Sequence, residues 1–357
     1  MHTENKNTLY YQSRDKLRNK LFEAKNMLPS RYVFILTNKC NLNCSFCFQE
    51  RKGREGSLTI DQWLNFSEQL PSYAHITLTG GEPLVFKNFD KLFREIDNRF
   101  STNIISNGVL LSDKFIDLFA KSKKLRVFSI SIDDIGNHNR DLSPAQWENI
   151  ENYVKYFKKH LNDLGKKDLI IDSKTVVLDS NSAELFEIYK YLKEKLNIDS
   201  HSFQFLKGSP IQHADFSFEY NKIFEKSVAH EYANFDRILI ELEKVRKYNL
   251  ENKFYSYTHP NFVDLNSEKP IYEQNYKKYN LKDHKKNEFE VCKAPWESMH
   301  INVEGSVYPC LAVEMGNIKK NTLKEIFFGS KYEKFKNDLL KNHTFEACNR
   351  CGYLKMK

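Results

Sequence analysis

Arg31-Tyr-Val-Phe-Ile-Leu36 runs directly into Thr37-Asn-Lys-Cys40-Asn-Leu-Asn-Cys44-Ser-Phe-Cys47. An apolar strand therefore ends in a loop carrying three thiols at C-x3-C-x2-C spacing. A zinc or iron–sulfur site that only holds a fold is normally closed by four ligands. Three thiolates on one loop point to a four-iron cluster whose fourth iron is open to bind and reduce something. The plainer alternative is a zinc site completed elsewhere in the chain. Asn38, Asn41 and Asn43 suit a tight loop, and Phe46 can pack on a flat ligand.

The strand that feeds this loop is the first of six expected, at Tyr32–Leu36, His75–Thr79, Asn103–Ser106, Arg126–Ile132, Leu169–Leu178 and Ser202–Leu206. Their near-continuous apolar runs read as buried parallel strands. Helical patterns lie between them: Thr59-Ile-Asp-Gln62 is a capping box, and Asn88, Ser112 and Ser182 each precede apolar residues at helical spacing. Six alternations of strand and helix imply an α/β fold, a partial (β/α)6 TIM-like barrel. Ligands of such sheets sit beyond the C-terminal strand ends, where the cysteine loop falls.

The remainder of the chain divides around that unit. Residues 1–30 read as a basic helical leader with Leu17, Leu21 and Leu28 roughly on one face. Residues 31–210 form the barrel. In 211–290 the alternation stops, leaving one long helix near Phe235–Tyr248 in an aromatic, charged connecting or substrate-contacting insert. Residues 291–357 form a small α+β domain, where Ser298–Val303 and Ser306–Leu311 flank the turn Glu304-Gly305 as a β-hairpin and a helical stretch covers about Thr322–Leu340.

The 357 residues are 40% hydrophobic and 29% charged, as in a globular chain. No run of eighteen apolar residues suggests a membrane helix, and the N-terminus lacks a signal-peptide pattern, so a cytoplasmic location is expected. Reducing conditions there favour metal ligation over disulfides for the seven cysteines. The net charge is +8, and Gly316–Lys357 alone carries ten Lys/Arg against four Asp/Glu. That surplus is either an ordinary solvated surface or a docking face for an acidic partner such as a flavodoxin or ferredoxin. No nucleic-acid module is recognisable.

One strand after the cysteine loop comes Thr79-Gly80-Gly81-Glu82-Pro83. A glycine pair there lets the backbone approach a ligand closely. Together with Cys40, Cys44 and Cys47 it resembles the radical S-adenosylmethionine (SAM) enzymes over residues 31–207. The resemblance implies that the three cysteines hold a SAM-binding 4Fe-4S cluster. It implies that Gly80, Gly81, Glu82 and Pro83 receive the methionine amino group. Ser106, Asn107, Ser131, Asp133 and Arg140 are then expected toward ribose and carboxylate, and Val177 and Leu206 on the adenine side, with Phe46 beside them. Such a site would cleave SAM reductively to methionine and a 5′-deoxyadenosyl radical.

Cys292, Cys310, Cys348 and Cys351 can close a further site completely. Their spacing and the segment Ile301-Asn-Val-Glu-Gly-Ser-Val-Tyr-Pro-Cys310 resemble a twitch domain, the shortened SPASM form, which implies one auxiliary 4Fe-4S cluster. A structural zinc ribbon is the alternative. Three plus four uses every cysteine, so no thiol is left to return a hydrogen atom. Oxidation follows as the expected outcome: maturation of a ribosomally made peptide, or dehydrogenation of a small alcohol or aminosugar. The non-enzymatic alternative is a zinc-stabilised binding protein. His75, His138, His201 and His300 read as packed or surface residues. Of Asp133 and Asp134, one is expected to face the site and the other to cap a helix.

Overall fold

The computed structural model describes residues 6–24, 26–49, 57–212, 216–226, 230–277 and 288–357. The extreme N-terminus used in the signal-peptide reading lies outside them. Eight strands run parallel: β1 (Arg31–Ile35), β2 (His75–Thr79), β3 (Ser101–Ser106), β4 (Leu125–Ser131), β5 (Ile170–Val176), β6 (Ser200–Gln204), β7 (Ser256–His259) and β8 (Ser298–Ile301). β9 (Ser306–Tyr308) and β10 (Gly316–Asn317) add antiparallel, giving the order β10-β9-β8-β1-β2-β3-β4-β5-β6-β7. The partial barrel therefore stands, with two corrections. The alternation does not stop at Pro210, because α7 (Phe235–Asn252) returns the chain to β7 alongside β6. The C-terminal hairpin is not set apart either, because β8 pairs in parallel with β1.

Local sequence explains most of the helices. In α2 (Ile60–Ser67) the Thr59 hydroxyl accepts from the Gln62 amide at 3.2 Å, and the Gln62 side chain accepts from the Thr59 amide at 2.9 Å. This satisfies donors that a helix start leaves orphaned. Ser143 and Gln146 repeat the device at α5 (Pro144–Asp163). Asn88 and Ser112 precede α3 (Phe89–Arg99) and α4 (Asp113–Ala120) without a side-chain cap bond, and α6 (Leu185–Glu194) starts three residues past Ser182. The helical stretch near Thr322–Leu340 is two helices, α9 (Leu323–Phe327) and α10 (Ser330–Asn342). They break at Gly329, where a Cβ would strike the Glu325 carbonyl.

Strand alternation separates two faces. Tyr32 and Phe34 turn outward onto α2, with Phe34 stacked on Trp63 at 4.6 Å. Val177, Phe203, Leu185 and Tyr189 join Ile238 and Leu242 of α7 in a second apolar cluster. Each such buried side chain contributes about 1.5–3 kcal/mol. The leader is α1 (Lys6–Ala24), and of its expected apolar stripe Leu21 is fully buried while Leu17 and Leu28 are half-buried. Arg14 and Arg18 grip the buried Glu297 carboxylate of α8 (Ala294–Glu297). Among the described residues no helix is long and apolar enough to cross a membrane.

Candidate functional site

The cysteine loop and the Gly-Gly-Glu-Pro segment are locked backbone to backbone at the ends of β1 and β2. Gly81 donates to the Thr37 carbonyl at 2.6 Å and Glu82 to the Lys39 carbonyl at 3.0 Å. A Cβ on Gly81 would strike Lys39, standing 2.7 Å from its carbonyl carbon and 2.9 Å from the Asn38 carbonyl oxygen. On Gly80 it would stand 2.6 Å from the Thr37 carbonyl oxygen. The glycine pair is thus required first by the cysteine loop lying on it, which the sequence reading had assigned to ligand approach alone.

Glu82 fastens this pair to the next strand. Its buried carboxylate accepts from the amides of Leu84 at 3.1 Å and Asn107 at 2.7 Å, and from the Ser106 hydroxyl at 2.9 Å. Burial pushes Glu82 up to about 7 despite these donors and the nearby Arg140 cation. Ser106 in turn accepts from the Gly108 amide, so its hydroxyl is occupied by the protein. The Asn107 amide nitrogen donates to Asn41 at 2.9 Å and lies 3.7 Å from the Cys40 sulfur. Pro83 opens the short helical turn Pro83–Val85 that follows.

From the other side come β4 and its exit loop. Arg140 Nε stands 2.6 Å from a carboxylate oxygen of the buried Asp133, forming an ion pair. The guanidinium lies 3.8 Å from the Cys44 sulfur and 5.4 Å above the Phe46 ring. Burial raises the Asp133 carboxyl, while Arg140 opposes it. Asp134 accepts from the amides of His138 and Asn139 and so caps the turn His138–Arg140. Ser131 ends β4 half-buried. Leu206 is half-buried, with its amide given to Tyr232. Val177 turns its side chain into the apolar cluster, its amide donates to the Gln204 carbonyl, and its carbonyl accepts from the Tyr232 hydroxyl.

Asn38 was read as loop-forming only. It is nine-tenths buried, and both polar atoms of its amide lack a partner. A buried amide left unmatched costs about 1–3 kcal/mol, which suits a group waiting for a polar ligand at the cysteine loop. The donor set therefore fits SAM and a three-thiolate cluster.

The four C-terminal thiols also gather. Burial and their mutual repulsion raise Cys310 and Cys348 well above an ordinary thiol and push Cys292 up to about 12. Thiolates so crowded are stabilised by metal. Among the described residues no three His, Cys, Asp or Glu side chains converge on a single-ion site. Gly208 and Gln212, beyond β6, clamp the Cys348–Cys351 loop. The Gln212 amide donates to the Ala347 and Asn349 carbonyls at 2.7 Å each. A Cβ on Gly208 would press into the Asn349 backbone.

The comparisons agree with this geometry. The Radical SAM superfamily model matches residues 34–192, and an iron–sulfur cluster-binding domain (SPASM) matches residues 292–352. The sporulation killing factor maturation protein SkfB of Bacillus subtilis is 35% identical over 119 residues, 32% of this chain and 29% of that protein. The tungsten-containing aldehyde ferredoxin oxidoreductase cofactor-modifying protein of Pyrococcus furiosus is 29% identical over 174 residues, 45% of this chain and 48% of that one. The chain thus spans under half the length of either relative. Streptococcus suis SuiB bound to its precursor peptide SuiA shares the fold, with a TM-score of 0.61 at 16% identity, covering 90% of this chain and 70% of SuiB. The chain belongs to the radical SAM superfamily and carries a C-terminal SPASM domain, so its cofactors are a SAM-binding 4Fe-4S cluster and an auxiliary iron–sulfur cluster.

Proposed function

We propose that this chain oxidatively modifies a ribosomally made peptide. When bound, the cluster and SAM supply a 5′-deoxyadenosyl radical by one-electron cleavage of the sulfonium. Cys40, Cys44 and Cys47 hold the cluster, and Cys292, Cys310, Cys348 and Cys351 hold the auxiliary one. The backbone of Gly80–Pro83 and the Asn38 amide bind the polar end of SAM. Asn107 and Arg140 fix the cysteine loop from two sides, and Phe46, under Arg140, shields it from water. Ser131, Val177 and Leu206 remain assigned to the ribose and adenine end, Val177 at most through shape.

The observation that carries this reading is the lock between the cysteine loop and Gly80–Glu82. Oxidation is favoured because every cysteine is assigned, leaving no thiol as hydrogen donor. A peptide is favoured because SkfB is named for maturation of a sporulation killing factor and SuiB is seen bound to its precursor peptide. The boundaries at residues 30 and 290 and an acidic electron carrier complete the reading. The test is anaerobic reconstitution with iron and sulfide, followed by incubation with SAM, a reductant and the short peptides encoded beside the gene. Formation of 5′-deoxyadenosine together with a peptide that has lost hydrogen supports it. Deoxyadenosine without any peptide change refutes the peptide assignment.

A further inference from the structure

The inner face of the barrel is basic. Outward Tyr32 and Phe34 place Arg31 inward on β1. Outward Met299 and Ile301 place His300 inward on β8, and Ser256, bonded to Asn249 of α7, places His259 inward on β7. On β5, outward Ile171 leaves Asp172 and Lys174 inside. Lys207 follows β6, and the His259 ring lies against Gly352, beside Cys351.

These groups feel one another. Burial first, then the Lys207, Lys174 and Arg31 cations, bring His259 down to about 3. Burial, Arg31 and Lys207 bring His300 down to about 3. Both imidazoles are neutral at physiological pH, and the positive charge rests on Arg31, Lys174 and Lys207. Lys174 is matched by Asp172 at 2.9 Å, which also accepts from Ser129 and Ser200. Among the described residues Arg31 donates to the neutral Ser298 hydroxyl at 3.0 Å. Among the described residues no carboxylate pairs with Arg31 or Lys207. Both are half-buried, and positive charge partly withdrawn from water and lacking a carboxylate favours an anion that arrives with a ligand. Burial brings Lys207 down to about 8, opposed by the Cys351 and Cys310 thiols, so it stays a cation at neutral pH and part of its charge answers the auxiliary site. What remains matches a single negative charge and is too little for a polyphosphate.

We propose that the lumen seats a carboxylate of the substrate, an Asp or Glu side chain of the peptide, between Arg31 and Lys207 with His259 and His300 beside it. This rests on the peptide reading above. It is separate from the SAM end of the site, whose cation, Arg140, is already paired with Asp133.

Glutarate is the probe, added to the reconstituted holoenzyme with SAM and no reductant. Saturation transfer from the protein to its protons should be saturable, and neutral glutaramide should not compete. Arg31→Gln and Lys207→Gln should each weaken glutarate about tenfold, as loss of one charge-assisted hydrogen bond does. Iron content checks that each variant retains both clusters. Should Lys207→Gln lose auxiliary iron, Arg31→Gln decides alone, because Arg31 is no neighbour of a cysteine in sequence. Equal binding of glutaramide overturns the proposal. So does wild-type glutarate affinity in the variants, including the case where Lys207→Gln shifts only the auxiliary cluster's potential. No turnover is read, so a failed peptide assay and a failed carboxylate seat remain distinct results.

Discussion

Gly81→Ala tests the contact on which the site is built. The new methyl would lie 2.7 Å from the Lys39 carbonyl carbon, where non-bonded carbons ordinarily keep about 3.5 Å. The obstacle is backbone on both sides, so no side chain can swing away. The two segments must part by about 0.8 Å, the difference between those distances. That strains the Gly81–Thr37 and Glu82–Lys39 hydrogen bonds, worth about 1 kcal/mol each, and adds an overpacking cost of about 1–3 kcal/mol. The expected loss of stability is about 2–5 kcal/mol, read by guanidinium unfolding of the anaerobic protein. Deoxyadenosine formation should fall by about 10²-fold, because a displacement near 1 Å at a positioned reactant has that effect. Gly165→Ala is the control: nothing lies within 4 Å of its Cβ, and φ is +64°, so only a local strain of about 1–2 kcal/mol is expected. If Gly81→Ala unfolds with the wild type and cleaves SAM normally, the reasoning fails.

Replacing Cys40, Cys44 and Cys47 together by Ala should leave about four irons per chain and abolish deoxyadenosine; continued cleavage of SAM would remove these residues from the reducing cluster. Gly208→Ala drives a methyl into the Asn349 backbone, so iron analysis and electron paramagnetic resonance should find the auxiliary cluster lost first. Glu82 is raised from 4.5 to about 7, so the folded state holds its proton more tightly than the unfolded chain. Its contribution is fully present below pH 4.5 and is lost as pH rises through about 7; Glu82→Gln, which cannot ionise, should gain on the wild type over that window in pH-dependent unfolding. Arg140→Met strands the buried Asp133 and should destabilise by about 3–5 kcal/mol, and adding Asp133→Asn should recover most of that in the same unfolding assay.

What the sequence disclosed depended on which face of each strand was apolar. His75–Thr79 was read to the residue, and the other five barrel strands to within a few residues at each end. β7 escaped because Ser256-Tyr-Thr-His259 is short and polar: its outer residues bond to α7 or the following loop, and its inner ones face the basic lumen. The partner of β8 escaped for another reason. A hairpin is a local pattern, whereas pairing with β1 depends on residues far away in the chain. Motif spacing brought Cys40, Gly81, Asn107 and Arg140 together correctly in space. It could not reveal the orphaned Asn38 amide or that, among the described residues, Lys207 lacks a carboxylate partner, since a missing partner is a property of packing alone.

The pairing of β1 with β8 also sets an order of events. Arg31 meets Ser298 across 267 residues, and contacts so distant in sequence form slowly. During synthesis β1 has β2 on one side and an open edge on the other until the last sixth of the chain has emerged. An open edge invites pairing with another chain. The loop bearing Cys40, Cys44 and Cys47 hangs from that same strand. Iron–sulfur loading of the first site is therefore tied to the arrival of β8, and a chain truncated before it would offer three thiols on an unfinished barrel.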